Sequence, residues 1–169
     1  MRVTGDRFGL RGLAAALPLA ALLTGAGLGP AAAAGPFTGF PGEWTGTGDI
    51  TMSDGSHDRI KCKASYSAGP SGQALNINVN CASDSYRVNI ISNVVAQGDN
   101  FSGTWRETTR QVDGDVTGRV PAPGQYQASL KGTGFGIELA ATSNGRQQAI
   151  TIVSQGTDVQ NVRITLKRI

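Results

Sequence analysis

The 169-residue chain holds a single histidine, His57, and only two cysteines, Cys62 and Cys81. Zinc sites are built from closely spaced ligand pairs and redox motifs from Cys-x-x-Cys, so both chemistries are disfavoured. A Ser-His-Asp arrangement would have to use His57. That residue lies in "SDGSHDR", a polar turn, where an exposed loop histidine is the simpler reading. Paired carboxylates fare no better. Asp54, Asp58, Asp84, Asp99, Asp113 and Asp158 fall in turn-like segments, where aspartate serves backbone geometry. "DGD" at 113–115 lacks the remaining ligands of a calcium loop. "GTGFG" at 132–136 opens no helix that would cradle a phosphate, and a bulge or barrel corner is expected there. The chain reads as non-catalytic, with no metal and no cofactor.

Long apolar runs are also missing. The run Leu13–Leu23 is broken by Pro18 and is shorter than the ~20 residues of a membrane span. It follows Arg2, Arg7 and Arg11 and precedes "GPAAAAGP", which together make the three parts of a secretory signal peptide. Residues 1–34 are read as signal, 35–42 as a short N-terminal extension and 43–169 as one domain. No membrane span is expected in the mature chain, and its destination is periplasmic or secreted, where disulfides persist. The signal takes three of the 15 bases and one of the 12 acids, leaving 12 against 11. No basic patch with interleaved aromatics remains, which argues against a nucleic-acid partner.

Helical periodicity is absent, and what the mature chain has instead is alternation. In "KCKASYSAGPSGQALNINVNC", placing Cys62 opposite Cys81 centres a turn between Ser71 and Gly72. Ala64 then faces Val79, Tyr66 faces Ile77 and Ala68 faces Leu75, while Lys61, Lys63, Ser65, Ser67, Asn76, Asn78 and Asn80 share the other face. Opposed residues lie about 4.5–5.5 Å apart, within disulfide reach, and closing this loop contributes ~3 kcal/mol. Cys62 and Cys81 are read as a cross-strand staple.

The same two-residue period recurs from Trp44–Met52 through Tyr86–Ile90, Phe101–Trp105, Val116–Val120, Tyr126–Leu130, Phe135–Leu139 and Ile150–Ile152 to Val162–Leu166. "VDG" at 112–114 and "PAPG" at 121–124 punctuate it as turns. The connections are hairpin-sized, which favours an all-β, up-and-down antiparallel barrel of about 8–10 strands over the alternative, a β-sandwich. Pairing the first strand with the last puts Arg168 near Trp44, a cation–π stack that closes the barrel.

The Gly-x-Trp of "GEW" on the first strand, with a basic residue late in the barrel, resembles lipocalin and avidin-like barrels. "EWTGTGDI", "IKCKASY", "CASDSY" and "GTWRETTR" resemble a set of small exported alphaproteobacterial proteins of unknown function. That resemblance implies an exported barrel and supplies no catalytic residues.

Parity sends Glu107 inward with Phe101 and Trp105, unless a bulge follows Trp105 or the strand ends there at the barrel mouth. Tyr66, Tyr86 and Tyr126 also lie on apolar faces, so Tyr66, Tyr86, Trp105, Glu107 and Tyr126 form the candidate ligand set or else belong to ordinary core. Small inward residues such as Gly46, Gly103, Gly118 and Ala128 suit either a hollow barrel or touching walls. Two functions follow from these alternatives. A hollow barrel would bind a small hydrophobic or amphipathic molecule. A filled one would act through its loops on an extracytoplasmic protein, as an inhibitor of a cell-wall-degrading enzyme does.

Overall fold

The computed structural model describes residues 35–169, and the expected signal segment lies outside the described residues. Ten strands follow one another: β1 (Gly42–Met52), β2 (His57–Ala68), β3 (Ala74–Ala82), β4 (Arg87–Gln97), β5 (Asn100–Glu107), β6 (Val112–Ala122), β7 (Gln125–Gly132), β8 (Phe135–Ser143), β9 (Gln147–Gln155) and β10 (Val159–Arg168). Each pairs antiparallel with its sequence neighbours, and β1 pairs with β10, so the sheet closes into an up-and-down barrel. The sandwich alternative is thereby excluded. Closure leaves no edge strand exposed.

The alternation that marks the strands also decides what faces inward. On the β2–β3 hairpin Cys62 pairs with Cys81, Ala64 with Val79, Tyr66 with Ile77 and Ala68 with Leu75, and the Cys62–Cys81 disulfide is formed. The outward residues of β1–β4 are largely Thr, Lys, Ser and Asn, the reverse of a barrel whose outside meets lipid. No helix among the described residues is long and apolar enough to cross a membrane.

Two local expectations need correction, and one alternative left open is decided. The turn before β6 falls at 108–111 rather than at "VDG", because Val112 already pairs with Glu107 and Gly114 with Trp105. Gln111 supplies the left-handed turn residue there, at φ 56°. "GTGFG" is neither bulge nor corner. Gly132 pairs with Phe135 across a two-residue turn, and Gly134 adopts φ 83°, where glycine carries no steric penalty. Finally, several small inward residues serve wall geometry rather than a cavity. A Cβ at Gly46 would run into the Thr165 carbonyl, and one at Gly118 into the Phe101 ring.

The two ends of the barrel differ. One end gathers residues 35–41, the turns 69–73, 98–99, 123–124 and 144–146, and the chain terminus; the other gathers turns 53–56, 83–86, 108–111, 133–134 and 156–158.

Candidate functional site: a barrel closed at one end

The "FTGF" of residues 37–40 builds the closed end. Two overlapping turns, Thr38 N–H to Gly35 O and Phe40 N–H to Phe37 O, fold the segment across the barrel. Phe37 and Phe40 enter the interior and are buried. Phe40 meets the rings of Tyr66 and Tyr126 edge-on at centroid distances of 5.1 and 4.5 Å, and Phe37 packs on Phe101 at 5.7 Å. Such aromatic pairs contribute about 0.5–1.5 kcal/mol beyond area burial. The backbone of the segment is satisfied from below and from the sides. Tyr126 Oη donates to Pro36 O (2.9 Å), Trp44 Nε1 to Phe40 O (2.8 Å) and Ser143 Oγ to Gly39 O (2.8 Å). Arg168 stacks 4.6 Å from the Trp44 ring and donates through Nη1 to Pro41 O (2.7 Å) and through Nε to Gly145 O (2.6 Å). The residues read as an N-terminal extension are therefore the floor of the barrel. Sequence reasoning passed over Phe37 and Phe40; two aromatics in four residues beside an otherwise small-residue segment were the available signal.

The opposite end is open. On β4, β8 and β9 the inward residues near the floor are buried: Val94 and Ala96, Ala141 and Ser143, Gln148 and Ile150. Further up, Val88, Ile90, Ile137, Leu139 and Ile152 point the same way yet stay half-exposed. Exposure on an inward face means that solvent reaches into the barrel. The β1–β2 wall remains packed, with Ile50 and Ile60 buried. The space enclosed is an apolar cavity of about 700 Å³ reaching from Phe37 and Phe40 to Val159 and Phe135 at the mouth. Ligand pockets commonly fall between about 300 and 1,000 Å³.

All five residues of the candidate ligand set line this cavity, but at two levels. Tyr66 and Tyr126 belong to the floor, where burial raises both phenols, Tyr126 to about 12, so each stays neutral at ordinary pH. Trp105 stands on the wall toward the mouth, its ring 5.9 Å from Phe135 and its Nε1 donating to Asp115 O (3.2 Å). Tyr86 lies at the mouth with the Arg110 guanidinium 4.5 Å from its ring. Glu107 ends β5 at the mouth without any bulge, and its carboxylate is already occupied. Its Oε1 accepts from the backbone N–H groups of Asn89 (3.0 Å) and Thr109 (2.8 Å), and its Oε2 from Arg110 N–H (2.8 Å) and Nη1 (3.3 Å). Burial alone would raise its pKa, but these hydrogen bonds outweigh it and hold the carboxyl down at about 2. Of the readings open for Glu107, the strand end at the barrel mouth holds, and its carboxylate staples the turn that fixes the mouth. Arg110, not singled out in the sequence, is the cation it positions. Among the described residues no cluster of three potential metal ligands occurs.

No family model matches the chain, and no curated protein matches it. Solved structures do. Rv2717c from M. tuberculosis aligns over 78% of this chain and 94% of its own at TM-score 0.61 and 9% identity. An S-type phycobiliprotein lyase, CPES, from Guillardia theta aligns over 78% and 89% at TM-score 0.59 and 6% identity. A protein of unknown function from the DUF3598 family of Nostoc punctiforme aligns at TM-score 0.56 and 14% identity, and this chain spans about half of its length. At such identities the likeness is one of fold: a lipocalin-like β-barrel.

Proposed function

We propose that the protein is an exported, non-catalytic carrier that holds a small, partly apolar molecule inside the barrel. The observation that carries this reading is the half-exposed apolar lining above a sealed floor: residues chosen for burial are left open to solvent at one end only. Exposing Ile90, Ile137, Leu139 and Ile152 forgoes roughly 25 cal/mol for each Å² left uncovered, which a ligand of matching shape recovers. The lining sets the orientation. The apolar part of the ligand faces the floor, and a polar part sits at the mouth beside Arg110, Thr157 and Asp158. A phycobiliprotein lyase of the same fold supports a small-molecule reading by architecture. The signal-like N-terminus and the disulfide support export. The hollow interior favours this function over the loop-borne inhibitor.

Native mass spectrometry of protein purified undenatured from its source tests the reading. The expected result is an added mass on the order of a few hundred daltons, a drug-sized ligand for such a pocket, that disappears in Leu139→Phe/Val79→Phe, which fills the cavity. A bare mass, together with no change in Trp105 fluorescence on titration with long-chain amphiphiles, overturns it. Trp44 is fully buried in the floor, so a ligand-dependent signal reports Trp105.

A further inference from the structure

The outside of the barrel carries a second concavity that the carrier reading leaves unused. Strand register puts two adjacent cross-strand rows on the outer face of β10–β1–β2–β3–β4. One runs Thr47–Lys61–Ala82–Arg87 and the next Lys167–Thr45–Lys63–Asn80. With about 4.8 Å between strands and about 7 Å between same-face neighbours along a strand, the backbone positions of Arg87, Lys61, Lys63 and Lys167 form a diagonal with steps of roughly 7–10 Å. These residues line a surface groove of about 880 Å³ to which no carboxylate contributes. All four cations are exposed, and no ion pair among the described residues engages them; the nearby Arg59 is held by Asp49 at 3.5 Å. Short neighbours (Ala82, Thr45, Thr47) leave the lysine stems uncovered.

This concentration is not a consequence of overall charge. Residues 35–169 hold 12 bases and 11 acids. The outer positions of β2 and β4 carry bases and no acid, those of β3 carry neither, and the outer acids of β1, Glu43 and Asp49, fall outside the groove, whereas β6 presents Asp113 and Asp115 on its outer face. Four unpaired like charges along a line repel one another, and an anionic chain laid across them relieves that repulsion.

We propose that this groove binds a linear acidic polysaccharide, a glycan carrying carboxylates or sulfates at intervals along its chain. The cations meet the charged groups, and the threonine hydroxyls and the Asn80 carboxamide meet sugar hydroxyls. The face lacks the exposed aromatic rings on which bases stack, so it is not a surface for single-stranded nucleic acid. None of the exposed large apolar side chains (Ile91, Val95, Val153 and Ile169) lines the groove, so an acidic peptide finds no exposed hydrophobic side chain to anchor on.

Affinity electrophoresis of the full chain at low ionic strength, in gels containing polygalacturonate, dextran sulfate or uncharged dextran, tests this. Retardation is expected with at least one of the two anionic polymers and not with dextran, and the polymer that retards identifies the anionic group. Salt at a few tenths molar should abolish the retardation, since the contacts are solvent-exposed. Lys61→Glu/Lys63→Glu should weaken binding at least tenfold. The neutral pair Lys61→Gln/Lys63→Gln should weaken it severalfold and serves where charge reversal impairs folding, as read from the thermal midpoint. Lys131→Glu on the opposite wall should leave binding within twofold. No retardation by either anionic polymer overturns the proposal, and so does an equal loss in Lys131→Glu. Tighter binding of a single-stranded oligonucleotide, with the same sensitivity to Lys61→Glu/Lys63→Glu, overturns the choice of a glycan.

Discussion

The floor and the mouth of this barrel are made from the same strands, yet they solve opposite problems. At the floor, Phe37, Phe40, Trp44, Tyr66, Phe101 and Tyr126 interlock, and Tyr126, Ser143 and Arg168 accommodate the carbonyls of the crossing segment. Packing there is close and the carbonyls of the crossing segment are paired, the buried Gln148 amide being the unpaired exception, which makes it the rigid end. At the mouth the inward residues are aliphatic and half-exposed, and polar pairing is confined to the rim, where Glu107 gathers the 108–111 turn and Arg110 covers Tyr86. A binding protein needs this inequality: one region supplies stability so that another can leave apolar surface uncovered.

Substitutions test the contrast in order of effect. Trp44→Ala removes a wholly buried indole, its bond to Phe40 O and the Arg168 stack, and should lower unfolding free energy by about 3–5 kcal/mol in urea titration. A loss near 1 kcal/mol would mean that the floor is not the stabilising end. Replacing both cysteines by serine releases a loop of sequence separation 19 and should cost about 3 kcal/mol, seen also as loss of the mobility shift on reduction.

The sharpest comparison uses one strand. Ile150→Ala, toward the floor of β9, should cost about 2–4 kcal/mol, whereas Ile152→Ala, two residues nearer the mouth and half-exposed, should cost about 1 kcal/mol or less. On the carrier reading Ile152→Ala should also weaken ligand binding, because Ile152 lines the cavity wall. Equal stability losses would contradict an open mouth.

Glu107→Gln should cost about 1–2 kcal/mol at neutral pH, less than the losses expected at Trp44, the disulfide and Ile150, since the amide N–H₂ would face backbone donors. Its pH dependence carries the sign. The folded pKa, about 2, lies below the ordinary value of 4.5, so the contribution is fully present above pH 4.5 and is lost as pH falls toward 2. The difference between wild type and Glu107→Gln in denaturant titrations should shrink across that window.

The strands themselves were legible because a period of two, cysteine pairing and hairpin-sized connections all agreed; Tyr66 facing Ile77 follows from the cysteine register, and Arg168 beside Trp44 from pairing the first strand with the last. The candidate site was legible only as a set of inward residues. Parity sends Tyr126 and Glu107 to the same side of the wall but carries no information about height, and so cannot separate floor from mouth. Nor does it show that Glu107's oxygens are filled. That depends on the turn falling at 108–111, and the sequence offered "VDG" as a more conspicuous turn. Phe37 and Phe40 were missed because a segment of seven residues before the first strand has no period to read.

Sequence alone determined the all-β class, the register of the stapled hairpin and the inward or outward sense of nearly every strand residue, since alternation and covalent pairing are local properties. Tertiary structure decided that the interior is hollow, that residues 35–41 seal one end of it, and that lysines from separate strands share one groove. Those outcomes depend on closure and on contacts between residues far apart in the chain, as in the bond from Tyr126 to Pro36, which no local pattern encodes.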